Sequence, residues 1–116
     1  MLNAFSPQAR IRTKDQFQRV FSKRQRLFGQ FCVLYYRSNT EKHPRLGVIV
    51  SKRNVRKAVA RNRFKRVARE AFRTQQQALP AVDIVIIAKL GAGEKTKKEL
   101  QRCLNQLFKQ LIAQYG

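Results

Sequence analysis

Between residues 52 and 73 the chain reads KRNVRKAVARNRFKRVAREAFR, ten Lys or Arg against one acid, Glu70. Lys52, Arg53, Arg56, Lys57, Arg61, Arg63, Lys65, Arg66, Arg69 and Arg73 are all candidate phosphate ligands. A guanidinium stays charged at any working pH and matches phosphate oxygens with two parallel N–H donors, so repeated Arg at regular spacing suits a polyanion. A charge run is ordinarily a solvated face, but here the compensating acids that such a face carries are missing. Asn62 adds no charge. Its place among arginines points to directed hydrogen bonds, to the polyanion itself or to a metal-bound water.

Bond-breaking chemistry has much less to work with. His43 is the sole histidine, so a two-histidine acid–base pair is impossible. The six carboxylates, Asp15, Glu41, Glu70, Asp83, Glu94 and Glu99, are scattered, with no cluster suited to a two-metal site. Cys32 and Cys103 each fall at an apolar position of an expected element. They read as two buried thiols rather than a disulfide or a zinc site, which wants four ligands. No catalytic residue and no protein-held metal is assigned.

The elements that must position the cations follow from periodicity. The chain of 116 residues, 43% apolar, is sized for one domain with a core. Its net charge of +20 demands an acidic partner, because such an excess repels itself in the compact state. No apolar run of about 18 residues exists and the N-terminus lacks a signal-peptide layout, so between nucleic acid and an anionic membrane surface the membrane is the weaker choice, no membrane partner is expected, and a cytoplasmic location is. Residues 1–12 form an irregular basic lead-in. Thr13 and Gln16 make a capping box opening a helix that ends near residues 22–23 and carries Phe17, Val20 and Phe21 on one stripe.

Residues 27–37 are rich in β-formers, with a break expected at Gly29, and 45–51 form another strand; the two are expected to pair antiparallel across the loop 38–44. The basic stretch is predicted as a helix from about 54 to 79, stopped by Pro80. Ala60, Phe64, Val67, Ala68 and Ala71 gather on its inner side, opposite Asn62, Arg66, Arg69 and Arg73, with Arg61 and Arg63 flanking. Val55 and Val59 fall on the wrong side of that wheel. Residues 82–89 read as a strand buried mid-sheet, 90–93 as a loop, and Thr96 with Glu99 as a second capping box. Behind it Leu100, Cys103, Leu104, Leu107, Phe108, Leu111 and Ile112 make an amphipathic helix. The sum is one α+β domain over 1–116 whose β-α-β unit would by default cross over right-handedly.

Over residues 58–70, AVARNRFKRVARE, the sequence resembles the bacterial ribonuclease P protein family. Arg61-Asn62-Arg63 followed by Lys65-Arg66 and Arg69 matches the family's RNR motif, and Lys52 and Arg53 stand where it has a basic pair. The similarity extends to residues 15–21 and 83–89. Arg56 departs from it, since many members carry Gly there. The resemblance implies an α-β-β-β-α-β-α sandwich with a mixed sheet and a left-handed β-α-β crossover, like the second domain of ribosomal protein S5. It implies a subunit, one monomer per RNA, of a ribonucleoprotein endonuclease that removes the 5′ leader of precursor tRNA, with catalysis in an RNA holding Mg²⁺. It implies that Phe17, Phe21 and Tyr35 or Tyr36 line a cleft for the leader, with Arg12 extending the positive track; pattern alone favours core for the two phenylalanines, and strand counting favours Tyr35. The rival function is a structural rRNA-binding or ribosome-assembly protein, which the same basic helix would serve.

Overall fold

The apolar run at 82–88 is the middle of the sheet. In the computed structural model, which describes residues 9–115, the elements are α1 (Lys14–Ser22), β1 (Arg26–Phe28), β2 (Cys32–Ser38), β3 (Arg45–Ile49), α2 (Ala58–Gln75), β4 (Val82–Ala88), a 3-10 turn (Ala92–Glu94) and α3 (Lys97–Tyr115). This is the expected α-β-β-β-α-β-α order. The strands lie in the order β1-β2-β4-β3, with β4 antiparallel to β2 and parallel to β3. The expected antiparallel pairing of residues 27–37 with 45–51 is therefore wrong. β4 is buried on both faces over residues 82–86, so it takes the central place, and β3 is left to pair with it through the α2 crossover.

Strand alternation gives the sheet two faces with different covers. Cys32, Leu34 and Tyr36 of β2 and Ile84, Ile86 and Ala88 of β4 point to one side, with Leu46 of β3. Helices α2 and α3 seal that side with Phe64, Val67, Phe72, Leu104, Leu107, Phe108 and Leu111, and Phe72 meets Phe108 at 6.3 Å between ring centroids. Gly29 breaks the first β run into β1 and β2, as expected. A Cβ there would stand 2.8 Å from Leu107 Cδ1 and 3.0 Å from Cys103 Sγ, so its absence lets α3 close onto the hairpin.

On the other face Val20 and Val85 are fully buried and Ile11 nearly so, while Phe17, Phe21, Tyr35, Ile49 and Ile87 around them are only half-buried. Helix α1, whose capping box forms as expected between Thr13 and Gln16, is nine residues long and covers part of this face. The lead-in 1–12 is irregular only in part. Its residues 1–8 lie outside the described residues, but Ala9 and Ile11 are buried and Ile11 N donates to Leu46 O at 2.9 Å, running parallel to β3.

The predicted helix 54–79 is shorter at both ends. It begins at Ala58, and Leu79 is reached through turns after Gln75. Its apolar side includes Phe72, which the wheel omitted, and Ala60 is half-buried but packs against the core as expected. The late start accounts for Val55: it sits in the turn before the helix, 2% exposed, and so never belonged on the helical wheel. Val59 is on the helix and 71% exposed. The second capping box holds, with Glu99 N donating to Thr96 Oγ1 at 3.1 Å and Thr96 N to Glu99 Oε1 at 2.9 Å. Those bonds hold the Glu99 carboxyl below its usual range.

Candidate nucleic-acid interface

The cations of the motif stretch fall into two patches because the helix starts late. Lys52, Arg53, Arg56 and Lys57 lie in the turn before α2, all exposed, and Lys57 is an N-cap whose side chain makes no capping bond. That turn is nonetheless tied down. Asn54 Nδ2 donates to Ala88 O at 3.0 Å, Val55 N to Ser51 O at 3.0 Å, and Arg61 Nη1 to the carbonyls of Val55 and Arg56 at 3.0 and 2.7 Å. Arg61, foreseen only as a phosphate ligand, thus spends one nitrogen on holding the loop against the first helical turns. Arg53, Arg56 and Lys57 line an open groove of ≈ 620 Å³ with Leu90, Gly91 and Gly93 on its far wall.

The second patch is on the helix itself. Asn62, Lys65, Arg66, Arg69 and Arg73 share a groove of ≈ 630 Å³ with Lys97 and Gln101 of α3. Asn62, Arg63, Arg66 and Arg69 are exposed, and the side chain of Asn62 makes no hydrogen bond to the described residues. Lys97 and Gln101 went unnoticed in sequence. The signal was there in the lysines beside the second capping box, but no rule of local pattern places α3 against α2. Arg73 is the exception among the cations. It is clamped by Glu70 through Nε and Nη2 at 2.9–3.1 Å, which holds the Glu70 carboxyl below its ordinary range and the Arg73 guanidinium above its own. Two ion pairs form among the described residues, this one and Arg45–Asp83 at 2.7 Å. Arg45 is held above its usual range by its two bonds to the buried Asp83, a contact that ties β3 to β4 well away from the helix.

The aromatic set comes together on the opposite face of the sheet. Phe21 and Tyr35 meet edge to face at 5.1 Å between centroids. The Phe17 ring lies so close over β3 that a Cβ on Gly47 would fall 2.6 Å from it. Tyr35 and not Tyr36 belongs here. Tyr36 is 8% exposed on the sealed face, and its hydroxyl donates to Gln114. Arg12 is exposed beside α1, its backbone N–H donating to Gln16 Oε1 at 2.7 Å. The phenylalanines are therefore both core and surface. Each has one side against Val20 and Val85 and the other half open, where pattern alone would have buried them.

Neither patch has the donor set of a Mg²⁺ site. The one carboxylate on the helix groove, Glu70, has both oxygens engaged by Arg73 and is surrounded by cations. Among the described residues no three His, Cys, Asp or Glu gather where they would hold a metal ion. The two thiols touch each other, with Cys32 Sγ 4.0 Å from Cys103 Sγ, and both are free. No helix of the described residues is long and apolar enough to cross a membrane.

The sequence family Ribonuclease P is matched over residues 5–112. The ribonuclease P protein component of Coxiella burnetii (strain Dugway 5J108-111) is 53% identical over 114 residues, 98% of this chain and 94% of that one. That of Aliivibrio salmonicida (strain LFI1238) is 38% identical over 107 residues, 92% of each chain. Among solved structures, the RNase P protein of Staphylococcus aureus superposes with a TM-score of 0.81 at 35% identity, over 87% of this chain and 93% of that one. The RNase P protein of Thermotoga maritima gives 0.75 at 29% identity, over 87% and 96%.

Proposed function

The chain belongs to the ribonuclease P protein family, and from that premise we propose how it serves the enzyme's endonucleolytic removal of the precursor-tRNA 5′ leader. The α2 patch docks on the catalytic RNA, and the half-open aromatic face takes the leader. One observation carries this reading. Unpaired cations at fixed helical spacing and partly exposed aromatics occupy opposite sides of a single sheet. A phosphate-tracking surface and a base-stacking surface are thereby held apart, which suits one protein touching a folded RNA and a single strand at once.

In this division of labour the chain positions and the RNA cleaves. The Mg²⁺ that phosphodiester hydrolysis requires resides with the RNA, since this chain's carboxylates are scattered or engaged. Lys52, Arg53, Arg56, Lys57, Arg63, Lys65, Arg66 and Arg69 neutralise phosphates; Asn62 donates and accepts directed hydrogen bonds. Arg61 holds the 52–57 turn in place while keeping its remaining N–H groups for RNA, and Arg73 contributes less because of Glu70. Phe17, Phe21 and Tyr35 stack leader bases, with Arg12 on the entering backbone. The protein acts as a monomer, one per RNA, in the cytoplasm.

Reconstitution with the RNA subunit tests the reading. Leader release at low Mg²⁺ should rise on adding protein, and precursor should bind more tightly than mature tRNA. Unchanged cleavage together with equal binding of the two would sink it, and tight rRNA binding in their place would favour ribosome assembly.

A further inference from the structure

The aromatic face does not end at Tyr35. In the β1–β2 pair Phe28 stands opposite Val33 and Arg26 opposite Tyr35, so both side chains lie on the α1 face, whereas Leu27, opposite Leu34, turns to the sealed core. Phe28 is therefore a diagonal neighbour of Tyr35, about 7–8 Å away across the strands. It is 64% exposed, an unusual state for a phenylalanine on a strand. The half-buried Val33 and Ile87 are register neighbours on the same face, between Tyr35 and Phe28.

Two cations frame the ring. The Arg26 guanidinium lies 5.4 Å and Lys89 Nζ 5.8 Å from its centroid. Lys89 is fixed there, donating from Nζ to Gly29 O at 2.8 Å. Local packing does not account for Phe28, since it fills no core position. A second copy of this chain is a poor occupant, because at a net charge of +20 like charges would meet, and the acid that shares a groove with Phe28, Glu99, already accepts from Thr96 N. A single-stranded nucleic acid brings what the patch lacks, a π-face for the ring and a phosphate for the cations.

We propose that Phe28, framed by Arg26 and Lys89, is an additional base-stacking subsite that extends the single-strand track beyond Tyr35. The inference rests on the leader reading above and adds one nucleotide position to it. The test uses the reconstituted holoenzyme and precursors whose leaders lengthen one nucleotide at a time, with 2-aminopurine stepped along the leader.

Wild type should gain affinity at each nucleotide until the track is full. Phe28→Ala should abolish the gain at one position, about five- to tenfold, and the fluorescence quench at that position, leaving shorter leaders and mature tRNA unaffected. Phe28→Trp should restore both. Arg26→Ala should weaken the same position and shallow its salt dependence. An F28A holoenzyme with a full set of increments overturns the subsite while leaving the leader reading intact. Equal weakening of precursor and mature tRNA overturns it too, by assigning the hairpin to the RNA subunit or to folding. So does a chain lacking residues 1–8 that reproduces the F28A pattern, which would make that segment the occupant. A wild type with no leader-dependent affinity at all rejects the underlying reading instead.

Discussion

The two faces of the sheet are built from alternate residues of the same strands, yet they meet opposite fates. Leu34, Ile84 and Ile86 are fully buried beneath two long helices; Val33, Tyr35 and Ile87, their immediate neighbours in sequence, lie beside a helix of nine residues and stay half open. The sealed face stores the stability. The open one keeps apolar and aromatic surface in contact with water, which a protein retains where something else is to cover it. The sealed side has its own external surface as well, the outer side of α2. On the proposed reading, two binding surfaces of unlike physics flank one core, one acting through screened charge and the other through contact.

Truncation should separate the faces most sharply. Phe64→Ala removes a ring of 0% exposure from the sealed side and should cost about 3–5 kcal/mol. That is a large share of the roughly 5–15 kcal/mol of a typical domain. Phe21→Ala, half exposed at the start, should cost no more than about 1–2 kcal/mol. Urea unfolding of the two variants measures the contrast, and equal losses would mean that the open face is ordinary core.

Binding should show the reverse order. Phe21→Ala and Tyr35→Ala should each lose about 1–3 kcal/mol of precursor affinity with mature tRNA unchanged, as stacking on a leader base requires. Equilibrium binding of the paired substrates to the reconstituted enzyme checks it. A loss shared equally by both substrates would remove the leader from this face.

Much of this contrast is legible in the residues, and the parts that are not share a cause. Both capping boxes, the split at Gly29 and the buried run 82–88 are local features, decided within a few residues, and all hold. The order of strands is not local. Residues 27–37 and 45–51 look like a hairpin because the strand that separates them is 33 residues further on. The start of α2 misled for a different reason. The turn at 52–57 is stabilised by Asn54 on Ala88 O and by Arg61 on the carbonyls of Val55 and Arg56, tertiary and side-chain bonds that periodicity does not register. On the open face, i, i+4 spacing marked Phe17 and Phe21 as apolar partners. How far they are covered depends on the short reach of α1, which spacing does not express.

Salt sharpens the comparison further. Affinity for the RNA subunit should fall log-linearly with salt, with a slope of about −0.7 to −0.9 per phosphate neutralised. Arg66→Ala, on the α2 groove, should shallow that slope by about one contact. Phe21→Ala should leave the slope alone and change only the intercept for precursor. A salt titration of both variants against wild type decides, and a slope change in F21A would mean that the two surfaces are not separate.

The smallest effect concerns the one cation of the α2 groove that the chain neutralises itself. Glu70 holds Arg73 through both carboxylate oxygens, and both side chains are well exposed, so the pair contributes little to folding. What it does is subtract from the positive field: one positive charge is cancelled, and the guanidinium that carries it is occupied. Glu70→Gln removes the charge and releases Arg73 without altering the helix, since Glu and Gln have similar propensities. RNA affinity should rise about two- to threefold at low salt, the slope should steepen by up to one contact, and unfolding should be unchanged. Arg73→Ala alone should weaken binding less than Arg66→Ala, and in the Glu70→Gln background its effect should grow toward that of Arg66. A double-mutant cycle measured by RNA binding at two salt concentrations reads this coupling directly. Full additivity would show that Arg73 contributes the same to RNA binding whether or not Glu70 holds it, so that the clamp does not tune the track.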